Sequence, residues 1–318
     1  MNNLKKIGLT ALAGSLVATS VAYSGELAVS GSAGMNFKNY SDSSTGKAVR
    51  MGNSVFFKGS GETDGGLNVN LSFELDQGTP AGDGPFDSHF VSVGNDTLGT
   101  LTVHGHGGSN SAAALDTTAA GDLWDNTLIN TTATASTRMA PLASTSGNNL
   151  MVYSLPTLVD GLAVAGSYQA ANTTGSGSTA LGVTYSGIEG LSLSYGQGSS
   201  DDVKDIAGDQ TIMKASYAYG PITVAASNND FDHTTSTIDQ EVSSVSLSYT
   251  VSDQISVSYG EETIDRSGSA SDIEVTGVSI SYTSGGMTAS FAQVEAENVD
   301  HTAGLDKEVW NIGLSFAF

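Results

Sequence analysis

The sequence predicts an all-β protein, a 16-stranded antiparallel transmembrane β-barrel. Three observations predict this fold. Apolar and polar residues alternate along almost the whole chain after residue 24. Short turns alternate with longer loops rich in Ser, Asp, Asn and Gly. Most alternating segments are near ten residues long, about the length that a tilted strand needs to cross a bilayer core.

The composition excludes several classes of function. The 318 residues include 11 Lys+Arg, 33 Asp+Glu and no Cys, for a net charge of −22. Such an acidic surface repels phosphate, so we expect no nucleic-acid partner. Without Cys there is no disulfide framework, thiolate zinc site or cysteine nucleophile. The chain also lacks G-x-S-x-G, P-loop and H-E-x-x-H motifs, so we expect no enzymatic activity.

The first residues have the pattern of a secretory signal peptide. Two lysines precede a mostly apolar run at 7–23, and small residues then precede Gly25. The run is too short for a comfortable transmembrane helix of about 20 residues; the alternative is a buried N-terminal helix. We therefore expect a signal peptide at 1–24, removed on export, and one barrel domain at 25–318.

Each strand is predicted from apolar residues at every second position, because successive side chains of a strand face opposite sides. One segment has Leu67, Val69, Leu71, Phe73 and Leu75 alternating with Asn68, Asn70, Ser72 and Glu74. The predicted strands span 27–37, 49–61, 66–76, 88–95, 99–106, 148–155, 161–170, 178–187, 190–198, 209–219, 221–229, 240–251, 254–264, 272–283, 286–296 and 306–318.

The connections between these segments alternate in length. The short ones are 62–65, 95–98, 156–160, 187–189, 220, 252–253 and 284–285. The longer ones are 38–48, 77–87, 107–147, 171–177, 199–208, 230–239, 265–271 and 297–305. Short turns on one side and long loops on the other are typical of outer-membrane barrels. An even number of strands then places both chain ends on the short-turn, periplasmic side.

An alternating sheet must cover its apolar face. In water a second sheet would do so, which describes the alternative of a secreted or surface-anchored β-rich adhesin or structural protein. In a membrane the apolar face contacts lipid, and closure of the barrel removes unpaired edges. Aromatic residues near the strand ends and the absence of Pro from strand centres favour the membrane. We expect the other face to be too polar to form a core.

The Gly25-Glu26-Leu27 start, the sixteen alternating segments and the terminal Phe318 resemble a Gram-negative general porin, most closely the alphaproteobacterial type. The resemblance extends over the whole chain but is one of pattern. It implies an outer-membrane homotrimer in contact with lipid and lipopolysaccharide. It also implies that each barrel holds a water-filled channel for passive diffusion of small hydrophilic solutes and ions, narrowed by the third long loop.

The loop at 107–147 is the longest and follows the fifth strand, where the resembled family has its constriction loop. Folded into the lumen, it would narrow the channel, and Leu123 and Trp124 would anchor it against the wall. Its candidate pore carboxylates are Asp116, Asp122 and Asp125.

A basic wall is predicted to face this loop. With Val55 and Phe57 directed outward, Arg50 and Lys58 face inward, and Lys38 lies just past the lumen face of the first strand. Opposed charges would create a transverse field that sets ion preference, although ordinary solvated charges are the alternative. The net charge suggests cation preference. Further polar lining residues are Asn68, Asn70, Glu74, His104 and His106.

No cofactor is expected. His104 and His106 would lie on one strand face and could begin a metal site, but without a further ligand we favour a lumen-lining role. Acidic outer loops containing Asp201-Asp202 and Asp230-Phe231-Asp232 could bind Ca²⁺ weakly, although their spacing is not that of an EF-hand.

Overall fold

A computed structural model describes residues 25–41, 46–76, 86–125, 147–171, 177–201, 207–234 and 239–318. These residues form sixteen antiparallel strands in one closed barrel, in which β1 pairs with both β2 and β16. The strands are β1 Glu26–Tyr40, β2 Lys47–Glu62, β3 Asn68–Asp76, β4 Ser88–Asn95, β5 Gly99–His106, β6 Leu150–Ser154, β7 Leu162–Gln169, β8 Ser178–Tyr185, β9 Leu191–Ser200, β10 Gly208–Tyr219, β11 Ile222–His233, β12 Gln240–Thr250, β13 Ile255–Arg266, β14 Ile273–Ser284, β15 Met287–Glu297 and β16 Lys307–Ala317. Short 3₁₀ turns lie at Ala113–Leu115, Leu123–Asp125 and Val299–His301.

The predicted strand number, pairing direction and closure are confirmed. The largest difference in bounds is at β11, which continues to His233 rather than ending at 229. Its last residues still pair with β10, because ladder hydrogen bonds do not require apolar side chains. The predicted signal peptide at 1–24 lies outside the described residues. In the described part of the chain, no helix is long and apolar enough to cross a membrane.

The two ends of the barrel sheet meet at Gly31 and Phe318. The Gly31 amide donates to the Phe318 carbonyl at 2.6 Å, and the Phe318 amide donates to the Gly31 carbonyl at 2.9 Å. A Cβ on Gly31 would lie 2.7 Å from the Phe318 ring, so this close approach requires glycine. The closure leaves neither terminal strand with an unpaired edge.

The two faces of the barrel wall differ as the alternation predicts. On β12, the side chains of Val245, Leu247 and Tyr249 are 51%, 47% and 43% exposed. Ser244, the residue before Val245, lies on the opposite face and is buried. Exposed apolar side chains recur at alternate positions on the other strands. The outer face is therefore apolar, as contact with lipid requires, and the inner face is largely polar.

One part of the inner face is apolar, contrary to the expectation that this face is too polar to form a core. A buried cluster lies inside the barrel near the long-loop ends of β12–β16. In β14, Ile273 and Val275 are buried, whereas Val278 and Ile280 are exposed on the opposite face. The pairing register of β14 is continuous, so the apolar residues change face part-way along the strand. The cluster comprises Tyr40, Trp124, Val242, Ile264, Ile273, Val275, Val294, Ala296, Val299 and Val309.

Candidate functional site

The described part of the long loop, residues 107–125, follows the inner face of the barrel. We call this part the loop segment. Near its start, the Ser111 amide donates to the Ser167 hydroxyl of β7 at 2.9 Å. Further along, the Asn229 side-chain amide of β11 donates to the Asp116 carbonyl. Tyr168 of β7 and Val224 of β11 are exposed on the outer face, and Ser167 and Asn229 lie at positions of the opposite, inner face, so the loop segment contacts the polar side of the wall.

Serine hydroxyls hold the middle of the loop segment. The Ala119 amide donates to Ser227 of β11 at 2.8 Å, and the Ala120 amide donates to Ser244 of β12 at 2.9 Å. The Ser246 hydroxyl donates to the Ala119 carbonyl at 2.7 Å. A hydroxyl can donate or accept, so these inner-face serines satisfy backbone groups that would otherwise be buried without a partner.

A buried carboxylate on β13 binds the end of the loop segment. Glu262 is 2% exposed and accepts hydrogen bonds from the Thr118 hydroxyl and, at 2.7 Å, from the Trp124 amide. Thr118 and Asp122 also bond to each other twice, each backbone amide donating to the other side chain at 2.8 Å. The sequence interpretation missed Glu262. The signal was the strand alternation, which places Glu262 on the opposite face from Glu261.

Two inner-face glycines leave room for the loop segment. A Cβ on Gly260 would lie 2.6 Å from the Ala120 Cβ, and one on Gly277 would lie 2.6 Å from a Leu123 methyl carbon. At Gly260 an added Cβ would force the loop backbone at Ala120 to shift, and at Gly277 it would displace the Leu123 side chain, so the absence of both side chains lets the loop segment lie this close to the wall.

Apolar contacts complete the attachment. Trp124 is 8% exposed and belongs to the inner cluster, against which Leu123 packs. Burial of these two side chains favours the docked position of the loop segment, since apolar surface is removed from the lumen water. These are the two residues for which the sequence predicts a role in anchoring the loop, and that role stays a prediction.

The loop carboxylates differ in their surroundings. Burial and, to a smaller extent, the Asp122 carboxylate raise the pKa of Asp116 to about 6, while Lys214 on β10 opposes the rise. Asp122 accepts a hydrogen bond within the loop segment. The side chain of Asp125 and residues 126–146 lie outside the described part of the chain.

The predicted basic residues lie on the inner face. Val49 and Met51, at odd positions of β2, are 79% and 64% exposed on the outer face. Arg50 and Lys58, at even positions of the same strand, therefore face inward. Lys38 of β1 faces inward too, because its paired residue on β2 is at an even position. The structure brings these three bases onto two neighbouring strands.

The predicted polar lining residues of β3 also share the inner face. The Asn70 side-chain amide donates to the Ser92 hydroxyl at 3.3 Å, and the Ser88 hydroxyl donates to Glu74 at 2.8 Å. Asn68 lies at the short-turn end of the same face and is exposed.

The two histidines of β5 do not share a face, which corrects the sequence interpretation. A bulge shifts the register, so that His104 pairs with Phe90 and His106 pairs with His89. Phe90 and His89 are consecutive and face opposite sides, and so do their partners. His104 is on the inner face and His106 on the outer. No group of three or more His, Asp or Glu suited to a metal ion occurs in the described ranges.

Comparison with known proteins gives a consistent result. Residues 8–302 match the model of a family described as Gram-negative porin. The fold is similar to the anion-selective porin from Comamonas acidovorans, with a TM-score of 0.69, 16% identity, and coverage of 92% of this chain and 100% of that one. It is also similar to the trimer form of OmpT from Vibrio cholerae, with a TM-score of 0.69, 15% identity, and coverage of 92% and 99%. No curated protein sequence matches the chain.

Proposed function

The chain belongs to the Gram-negative porin family, and from that premise we propose that the loop after β5 narrows its pore. The protein is an outer-membrane channel for passive diffusion, with a closed 16-stranded barrel and an apolar outer face. The observation that carries the proposed constriction is the course of the loop segment along the polar face of the wall.

The contacts of the loop segment with the polar face of many adjacent strands support a course inside the barrel. The loop segment bonds to or closely approaches at least one inner-face residue on each strand from β7 to β14. These residues are Ser167, Gly182, Gly196, Lys214, Ser227, Ser244, Glu262 and Gly277. Barrels of this strand number otherwise leave a wide aqueous channel, so a segment lying inside reduces the cross-section.

Charges on either side of the remaining gap would orient permeating solutes. In this proposal Asp116, Asp122 and Asp125 carry the acidic side, and Arg50 and Lys58, with Lys38 above them, carry the basic side. Asn68, Asn70, Glu74 and His104 add polar lining; the register gives His106 no part in it. Small hydrophilic solutes and ions are the expected cargo, since charged rings and polar groups set selectivity in such pores.

Four further features belong to the proposal. Porins of similar structure include a trimer form, which supports a homotrimer here. Lipid and lipopolysaccharide would contact the apolar outer face, and residues 1–24 would be removed on export. The family consists of non-enzymatic channels, and we expect this chain to perform no bond chemistry; the adhesin alternative is not favoured.

Planar-bilayer recording tests the channel. The protein is first shown to be folded by heat-modifiable migration on a gel, because a closed barrel in detergent resists unfolding until it is boiled. We expect stepwise current increases as single channels insert. Folded, inserted protein that passes no current would contradict the proposal.

A cross-link tests the position of the loop segment. The chain has no Cys, so Ala112→Cys with Gly196→Cys would introduce the two thiols alone. A Cβ on Gly196 would lie 3.5 Å from the Ala112 Cβ, which is within the range of about 3.5–4.5 Å for disulfides. We expect this pair to oxidise. The control, Ala112→Cys with Gly52→Cys on β2, should stay reduced, since a Cβ on Gly52 has no neighbour within 4 Å.

Neutralising the loop carboxylates tests the charge arrangement. The triple variant Asp116→Asn, Asp122→Asn and Asp125→Asn should lose cation preference in a salt gradient. Reversal potentials identical to those of the unmodified protein would show that these carboxylates do not face the permeation path.

A further inference from the structure

We propose that Glu262 is the positioning residue that holds the loop segment in the lumen and thereby sets the width of the pore. The inference rests on the proposed function, because it assumes that the loop segment narrows a conducting channel. It adds a specific wall residue to that function.

The carboxylate of Glu262 joins two points of the loop segment that are six residues apart. One oxygen accepts from the Thr118 hydroxyl, and the other accepts from the Trp124 amide at 2.7 Å. The intervening bend is thus bound at both ends by one side chain. Both carboxyl oxygens of Glu262 are used, so one wall side chain bonds to the loop segment at two separate points.

The attachment is shielded from water. Glu262 and Thr118 are each 2% exposed, and Trp124 is 8% exposed. A buried carboxylate is costly without donors, and the loop segment supplies the donors to Glu262 among the described residues. The loop segment and the carboxylate therefore depend on each other.

The wall beside Glu262 is shaped to receive the same bend. Gly260 precedes Glu262 by two positions on the inner face and pairs directly with Gly277 of β14. These two glycines form the bare surface on which Ala120 and Leu123 lie. The Glu262 carboxyl group and the Gly260–Gly277 pair together form one binding surface for residues 118–124. The backbone hydrogen bonds between the strands do not require these particular side chains.

Loss of the carboxylate would release both ends of the bend. The Trp124 amide and the Thr118 hydroxyl would then be buried without their acceptor, a state that proteins avoid. The bend can recover these hydrogen bonds from water by moving away from β13. We infer that a channel without this carboxylate has a wider and more variable constriction.

The test compares Glu262→Ala with Glu261→Gln. Glu261 is the next residue, on the outer face, where it accepts from the Tyr259 hydroxyl, so its neutralisation is a matched control. The readouts are single-channel conductance, open-channel current noise and exclusion of polyethylene glycols of graded size. We expect Glu262→Ala to raise conductance and noise and to admit larger polymers, with Glu261→Gln unchanged.

Glu262→Gln should give an intermediate result, because its amide oxygen accepts one donor while its NH₂ group cannot accept the second. Unchanged conductance, noise and size limit in Glu262→Ala would overturn the inference and leave the channel standing. Silence of the unmodified folded protein would instead overturn the proposed function.

A milder variant covers the case in which Glu262→Ala does not reach the folded, heat-modifiable form. Thr118→Val removes the hydroxyl donor from the loop segment and leaves every wall residue intact. Raised current noise in Thr118→Val would support the inference. Noise equal to that of the unmodified channel would overturn it.

Discussion

Two parts of the inner wall face different surroundings and carry different residues. We call the inner face of β1–β3 the open wall, and it carries Arg50, Lys58 and Glu74. A recess of about 510 Å³ beside it is lined by residues of β1, β2 and β16, among others. The inner face of β11–β14, the covered wall, lies beneath the loop segment. Its contact residues are serines, glycines, Asn229 and one buried carboxylate.

The difference shows that polarity alone does not define a lumen position. A wall that faces water can carry charges at low cost, because water solvates them. A wall that faces protein backbone needs small residues for close approach and short hydroxyls to bond amides and carbonyls. Gly52 and Gly260 illustrate this: an added Cβ would have no neighbour within 4 Å at Gly52, but it would clash with Ala120 at Gly260.

Deletion of residues 110–140 removes the difference between the two walls and should have the largest effect. The covered wall would then face water, and the cross-section of the channel would approach that of the empty barrel. We expect a severalfold rise in single-channel conductance in planar bilayers. The deletion variant must show heat-modifiable migration for the comparison to hold, and an unchanged conductance would mean that the loop does not narrow the pore.

The same substitution on each wall sharpens the comparison. Gly260→Ala places a Cβ 2.6 Å from the Ala120 Cβ, whereas Gly52→Ala places one in open space. Overpacking of this kind costs about 1–3 kcal/mol, while Gly→Ala at an unstrained site gains about 0.4–1 kcal/mol. We expect Gly260→Ala to lower the free energy of unfolding in urea titrations of vesicle-embedded protein and to raise conductance.

Gly52→Ala is the control in both measurements and should leave conductance close to that of the unmodified channel. Equal effects of the two substitutions would contradict the assignment of one wall as covered and the other as open.

Alternation was sufficient to predict the barrel, because each strand needs only a local two-residue repeat and a bilayer-length span. It was also sufficient to place Arg50 and Lys58 on the inner face. Alternation placed His106 on the wrong face. The extra residue of the bulge, Gly105, reverses the faces of the residues of β5 that follow it. A bulge depends on the register of the neighbouring strand, which a single segment does not contain.

The covered wall was the least predictable part, because its contacts join residues more than 100 positions apart, as in the bond from Trp124 to Glu262. One signal was nevertheless present in the sequence. Ile273 and Val275 have odd numbers, whereas Val278 and Ile280 have even numbers, so the apolar residues of β14 change face part-way. Such a change marks the place where the inner face is covered by protein.

Removal of one basic charge from the open wall should shift ion preference moderately. Arg50→Gln and Lys47→Gln change the net charge of the chain equally, but Arg50 faces inward and Lys47, on the same strand, faces outward. A unit charge about 6 Å from a permeating ion contributes about 0.7 kcal/mol in water, or roughly threefold in permeability ratio. We expect that increase in cation preference for Arg50→Gln, measured as a shift in reversal potential.

Lys47→Gln should leave the reversal potential unchanged. A similar shift in both variants would mean that total charge, rather than charge on the inner face, governs the selectivity of the channel.

The smallest expected effect comes from the protonation of Asp116 at the edge of the covered wall. Its pKa, raised by burial to about 6, makes the carboxylate mostly ionised at pH 7.5 and mostly protonated at pH 5. Acidification thus removes one negative charge beside Asp122 and Lys214, and cation preference should fall by less than about threefold, with a midpoint near pH 6.

The same raised pKa has a defined effect on folding. Since the value exceeds the ordinary 3.8, the folded protein binds more protons than the unfolded chain between those two values. Stability from this group therefore increases as the pH falls through about 6 and levels off below 3.8.

The control for the pH dependence of ion selectivity is Asp116→Asn. Its reversal potentials, recorded over the same pH range, separate the contribution of Asp116 from that of the other titratable groups. An identical pH dependence in the variant and the unmodified channel would show that Asp116 does not influence the permeating ions.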